Sequence, residues 1–192
     1  MEADWEVEIG GSAPVIEAAW PGFVDLRRDP QLAARLLETV QLPALAETLA
    51  TLNAVDSPVW TSKCDVWPVV DFVSFDPDEL DAPPGCAAHA MACYIDLLPR
   101  SSQQWVTPIM ATAACKIVCS RLRAVPLRCC RLDLIIRRTF IGTNPPGLPN
   151  LIDLGITAYL TACGPSPAEA TAVLEAALQA FAGALCGHST LE

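Results

Sequence analysis

Arg128-Cys129-Cys130-Arg131-Leu132-Asp133-Leu134-Ile135-Ile136-Arg137-Arg138-Thr139-Phe140 reads as a β-strand. Large apolar and β-branched residues dominate it, and Arg131, Asp133 and Arg137 fall on one alternating set. A strand of this pattern is half-buried, with its acid turned outward and its Leu neighbours turned inward. The central tripeptide Leu132-Asp133-Leu134 has two echoes upstream, Val7-Glu8-Ile9 and Cys64-Asp65-Val66. Each is followed by a second strand-like run: Phe23–Leu26, Tyr94–Leu97 and Tyr159–Ala162. Each second run leads to a helix start and a long helical stretch. The pattern predicts an α+β domain of about six mostly antiparallel strands. It would be built from three ββα units whose helices lie on one sheet face, since no single unit covers its own apolar helix face.

Working outward, strands are expected at Trp5–Gly10, Val15–Trp20, Val59–Trp67, Ala90–Leu97 and Leu154–Cys163, with Phe23–Leu26 extending the second or following a turn at Pro21-Gly22. Asp29-Pro30 supplies an N-cap and a first-turn proline. The helical run that follows reaches Asn53 and is broken near Leu42 by Pro43. Ser101 or Ser102 is the expected cap of a helix running to about Ala124. Ser166-Pro167-Ala168-Glu169 makes a capping box ahead of an apolar stripe at Leu174, Leu178, Phe181 and Leu185. The stretches 71–85 and 142–150, rich in proline, read as loops. A ferredoxin-like core spanning about residues 88–188, with the first unit added at one edge, is the alternative arrangement. Either way, 192 residues suit one domain, 1–192.

Apolar residues make up 52% of the chain and charged residues 18%, a richness that favours burial of surface in an oligomer. No uninterrupted apolar run reaches membrane-spanning length, so no membrane partner is expected. The net charge of −10 argues against nucleic acid, which needs a basic footprint. Lys116, Arg121, Arg123, Arg128, Arg131, Arg137 and Arg138 nevertheless share one segment. Asp71, Asp76, Asp78, Glu79 and Asp81 share another, a polarity able to steer a partner. The Met-Glu-Ala-Asp start has neither the basic nor the apolar region of a signal peptide. Nine cysteines, an odd number set mostly in apolar runs, suit core thiols in a reduced cytoplasmic protein.

No sequence motif specifies a reaction. P-loop, dinucleotide and nucleophile-elbow patterns are absent, and the cysteines lack the paired spacing of a structural metal site, so neither metal nor cofactor is expected. Enzymatic activity is therefore undecided at this level. The most site-like stretch is Trp60-Thr61-Ser62-Lys63-Cys64-Asp65-Val66-Trp67. Unbroken alternation puts Thr61, Lys63, Asp65 and Trp67 on one side and Trp60, Ser62, Cys64 and Val66 on the other. Lys63, Asp65 and Asp133 are the candidate catalytic groups, with Asp65 or Asp133 as proton acceptor and Lys63 or Arg131 as anion binder. Trp67, Tyr94, Asp96 and Arg131 are the candidate binding groups, Trp67 forming an apolar wall. Asp25, Asp65, Asp96 and Asp133 hold related places in the units, and their convergence would make a carboxylate cluster. Cys64, between Lys63 and Asp65, is a candidate nucleophile should His89 lie near it.

Two functions follow as expectations. The leading one is a non-catalytic interaction or assembly module that self-associates, a homodimer being simplest, with a basic protein as another possible partner. The rival is a small-molecule-binding protein or enzyme using a Lys/Asp/Arg site on the open sheet face. A pocket lined by at least three of the candidate groups would favour the rival.

Overall fold

The computed structural model describes residues 1–18, 20–70, 75–140 and 152–187, with side chains from residue 154 in the last stretch. Chain order is β1 (Glu2–Glu8), β2 (Val15–Glu17), a 3-10 turn (Pro30–Arg35), α1 (Leu37–Gln41), α2 (Pro43–Asn53), β3 (Val59–Val69), a second 3-10 turn (Asp78–Leu80), β4 (His89–Pro99), α3 (Pro108–Arg123), β5 (Cys130–Phe140), β6 (Ile152–Gly164) and α4 (Pro167–Cys186). The strands form one mixed sheet in the order β1-β5-β6-β4-β3, with β2 also on β5. Only the pairings of β1 and β2 with β5 are parallel.

Helices α2, α3 and α4 cover one face. Leu132, Leu134 and Ile136 of β5, Ala158 and Leu160 of β6, and Cys93, Ile95 and Leu97 of β4 meet Ala111, Cys115 and Leu122 of α3 and Leu174, Leu178 and Phe181 of α4 in one core. Fully burying a side chain the size of Leu or Phe contributes about 1.5–3 kcal/mol, so this layer is the main source of stability. α4 is 20 residues long and apolar enough by length and composition to cross a membrane. Here, Leu174, Leu178 and Phe181 pack it against the sheet, as in the core helix of a globular domain.

The strand-strand-helix order recurs three times along the chain, but the first instance is built differently. Hairpins β3-β4 and β5-β6 are antiparallel. β1 and β2 do not pair with each other. They lie end to end along β5, Glu8 opposite Arg137 and Val15 opposite Arg138. Val7, Cys64 and Leu132 are accordingly not equivalent: Val7 is exposed at an edge, Cys64 is half-buried beside a bulge, and Leu132 is buried. Phe23–Leu26 is not a strand. β4 and β5 each run antiparallel to the β6 between them, so α3 joins two parallel strands across a third. That split β-α-β arrangement agrees with the alternative core, β3 occupying the place beside β4.

Local signals behave as their chemistry requires. Asp29 accepts the Gln31 N–H at 3.1 Å, and Pro43 starts a new helix at the expected break. Ser166 accepts the Glu169 N–H at 3.3 Å and donates to its carboxylate at 2.7 Å. The α3 cap is Thr107, not Ser101 or Ser102. Thr107 precedes Pro108 and accepts the Met110 N–H at 3.3 Å, while Ser101 is spent on a turn, accepting from Gln103. The loop expected at 142–150 lies outside the described residues.

Candidate functional site: the helix-free sheet face

Among the described residues the second sheet face carries no α-helix. Its two ends are covered by chain segments. At one end, Ile16, Ala18 and Phe23 pack on Trp60 and Leu98. At the other, Phe75, Leu80 and Ala82 pack on Ala90 and Cys163. Between them the registered strands lay residues in rows. Asp4, Asp133, Tyr159, Tyr94 and Asp65 form one row, and Glu2, Arg131, Thr161, Ala92 and Trp67 the row beside it. The three rings Trp67, Tyr94 and Tyr159 make a diagonal ladder, with centroids 6.2 and 5.9 Å apart and all three side chains half-buried. Such separations suit favourable aromatic contact.

β3 does not alternate as its sequence suggests. A bulge separates Thr61, opposite Leu97, from Cys64, opposite Ile95. Three residues on β3 therefore span two on β4, and Thr61 moves to the helix side. There Asn53, at the end of α2, holds it: Asn53 accepts the Thr61 N–H at 3.1 Å and donates to the Thr61 hydroxyl at 2.7 Å. Trp60 correspondingly joins the open side, where Arg27 stacks 4.0 Å above its ring. Asp65 and Trp67 stay on the open face as expected.

Charges on this face are largely paired. Arg131 binds Asp133 at 2.8 Å and Glu79 at 3.3 Å. Arg137 reaches Glu8 at 3.1 Å, donates to the Tyr159 hydroxyl at 3.3 Å and to Thr157 at 3.4 Å. Thr157 in turn donates to Asp96 at 2.6 Å. Asp96 is only 8% exposed, and burial raises its pKa above the usual carboxylate range, against the pull of Thr157, Lys63 and Arg137. Burial also pushes the Tyr94 phenol up to about 12, with Asp96 and Asp65 adding to the effect. Lys63 sits 3.6 Å from Glu17 and 5.9 Å from the Trp20 ring centroid. Asp65 is exposed and accepts the N–H of its neighbour Val66.

All seven candidate residues thus lie on or beside one face, but they do not converge. β3 and β5 are three strand spacings apart, about 14 Å, so Asp65 and Asp133 cannot act on one atom. Asp25 is bound instead to Arg27 at 2.7 Å, so the four-carboxylate cluster does not form. The basic and acidic segments are not separate fields either: Arg128 grips Asp81 at 2.7 and 3.0 Å, and Arg131 reaches Glu79. Cys64 lies opposite Ile95, six residues along β4 from His89, about 20 Å away. Burial pushes the Cys64 thiol up to about 12, the reverse of what a nucleophile needs. Two clefts adjoin the sheet. One, of about 50 Å³, touches Lys63 and Cys64 among the candidates, and the other, of about 180 Å³ under α3, touches none. Among the described residues no three His, Cys, Asp or Glu side chains gather to hold a metal ion.

No known protein family, curated protein or solved structure matches this chain. The residues that sequence reading left out of the site are Tyr159, Thr157, Arg137 and Glu8. Their signal was the same period-two pattern, but only the register across β1, β5, β6 and β4 assigns them neighbours.

Proposed function

We propose that the chain is a non-catalytic assembly module that pairs with a second copy through its helix-free sheet face. The observation that carries this reading is the half-exposed Trp67-Tyr94-Tyr159 ladder, set in a face where Arg131, Arg137, Asp65 and Asp133 are interspersed. Interfaces concentrate their energy in aromatic and Arg anchors. A surface carrying both signs is self-complementary about a two-fold axis, as an isologous dimer requires. Edge-to-edge pairing is disfavoured: β1 presents Glu2, Asp4 and Glu6 along one edge, and Pro68 interrupts the donors of β3 on the other. Five strands by seven residues give a face of roughly 500 Å² in plan. A standard interface takes about 800 Å² per partner, so segments 15–26 and 75–82 would form its rim. Among the described residues the candidate acid-base groups do not converge, which favours this role over the enzyme reading. Nine free thiols fit a reducing compartment such as the cytoplasm.

Sedimentation equilibrium across a dilution series tests the proposal. The wild type should reach about twice 20.5 kDa, and W67A/Y94A should weaken association by about 30-fold or more, the loss of a typical hot spot. With ten net negative charges on each copy, moderate salt should tighten self-association by screening the repulsion. A monomer at every concentration overturns the proposal, and binding of a basic protein that salt weakens would assign the face to that partner instead.

A further inference from the structure

We propose that Cys129 and Cys163 are a redox pair, closed into a reversible cross-strand disulfide by a small disulfide of the glutathione class. Cys130 stands opposite Ala162 in the β5-β6 ladder. One further bond, from the Cys163 N–H to the Cys129 carbonyl at 2.9 Å, carries that register to the next pair. Opposed residues that share such a bond have Cα atoms about 5.5 Å apart, inside the window of about 4.4–6.8 Å that a disulfide spans. The two side chains also share a face. Cys130 and Ala162 belong to the core under the helices, whereas Cys129 and Cys163 join the cluster around Leu80 and Ala90 on the other side of the sheet. There the thiols meet directly: that of Cys163 hydrogen-bonds the Cys129 sulfur.

Their settings assign the two steps of the reaction. Cys129 is half-buried, and its φ of +62° lies in the left-handed region, which a residue with a Cβ adopts at a cost. Burial raises its pKa and the neighbouring Cys86 thiol adds to that, while the Cys163 hydrogen bond and Arg128 pull the other way and favour the thiolate. Cys163 is fully buried, and its thiol is pushed up to about 11. Cys129 is therefore the entry thiol. Its thiolate attacks one sulfur of the small disulfide, forming a mixed disulfide and expelling one small thiolate. The Cys163 sulfur then attacks the Cys129 sulfur, and its proton leaves with the second small thiol. Two protein thiols are oxidised and one small disulfide is reduced to two thiols. A link anchored on a strained residue is readily reduced, so the pair reopens in an excess of small thiol.

Equilibration of the full chain with oxidised and reduced glutathione, followed by thiol blocking and tandem mass spectrometry, tests the pair. Oxidised glutathione should remove two of the nine thiols and link Cys129 to Cys163, fragment ions separating them from Cys130 and Cys186. Excess reduced glutathione should restore both thiols. C129S should abolish the link, C163A should stop the reaction at a glutathione adduct on Cys129, and C86S should leave the link unchanged. Mapping of the unaltered chain is a readout that needs no variant to fold. A link through Cys86, a glutathione adduct on Cys129 of the unaltered chain that never closes, nine free thiols at every ratio, or a link that excess reduced glutathione leaves intact would each overturn it.

Discussion

Replacing Asn53 by Ala removes the pin that sets the β3 bulge. Asn53 is 1% exposed and makes three side-chain hydrogen bonds: it donates to Leu49 O at 2.8 Å and to the Thr61 hydroxyl at 2.7 Å, and accepts the Thr61 N–H at 3.1 Å. In N53A the Thr61 N–H stays buried without its acceptor, a cost of about 1–3 kcal/mol. Loss of the two donated bonds adds about 1 kcal/mol, giving about 2–4 kcal/mol in all. For a chain of this size that lowers Tm by roughly 5–15 °C. Asn53→Asp keeps the acceptor for Thr61 and loses the donors, so it should lie between wild type and N53A. Urea unfolding followed by tryptophan fluorescence reads both variants. A cost below about 0.5 kcal/mol for N53A would refute the argument that Asn53 holds the bulge, and with it the account of why Thr61 leaves the open face.

Asp96 yields a pH prediction. Its folded pKa is raised, so the native state binds its proton more readily than the unfolded chain does. Its contribution to stability is fully present below the unfolded value of about 3.9 and is lost as pH rises through the folded pKa. D96N should therefore be more stable than wild type at pH 7, with the difference closing toward pH 4; a gap that widens on acidification would contradict it. Gly155 has no room for a methyl group: an added Cβ would meet Thr139 Oγ1 at 2.5 Å, Ile16 Cδ1 at 2.7 Å and the Leu97 carbonyl at 3.0 Å. G155A should cost about 1–3 kcal/mol in chemical denaturation, and a neutral result would show that Thr139, Ile16 and Leu97 do not crowd Gly155 as these distances require. With its pKa near 12, Cys64 carries a thiolate in roughly one molecule in 10⁵ at pH 7. Peptide mapping after alkylation should find it labelled only on unfolding, and rapid labelling of the native protein would restore it as a nucleophile candidate.

The hydrophobic period carried most of the architecture. Leu132-Asp133-Leu134 lies in β5 as read, with Leu132 and Leu134 in the core and Asp133 on the open face, because alternation alone decides which side chain meets a helix. Helix starts at Asp29 and Ser166 were legible because capping side chains are local chemistry, and the start at Pro43 because a proline suits the first turn. Two features were not legible. The Thr61 bulge depends on Asn53, a partner eight residues away on another element. The parallel docking of β1 and β2 on β5 depends on contacts more than a hundred residues distant. The site followed the same division. Asp65, Trp67, Tyr94, Asp96, Arg131 and Asp133 were placed on one face by parity, whereas their spacing came only from a strand order that no local pattern encodes.

Tyr94 and Tyr159 are the only tyrosines in the chain, and they sit opposite each other on the helix-free face. Biosynthetic labelling with 3-fluorotyrosine therefore places the only two fluorine signals inside the proposed interface. On concentration from micromolar to millimolar, both resonances should move together and lose solvent accessibility as the mass doubles. Doubling of mass with both resonances unmoved, or no concentration dependence at all, would contradict the claim that this face is where two copies meet.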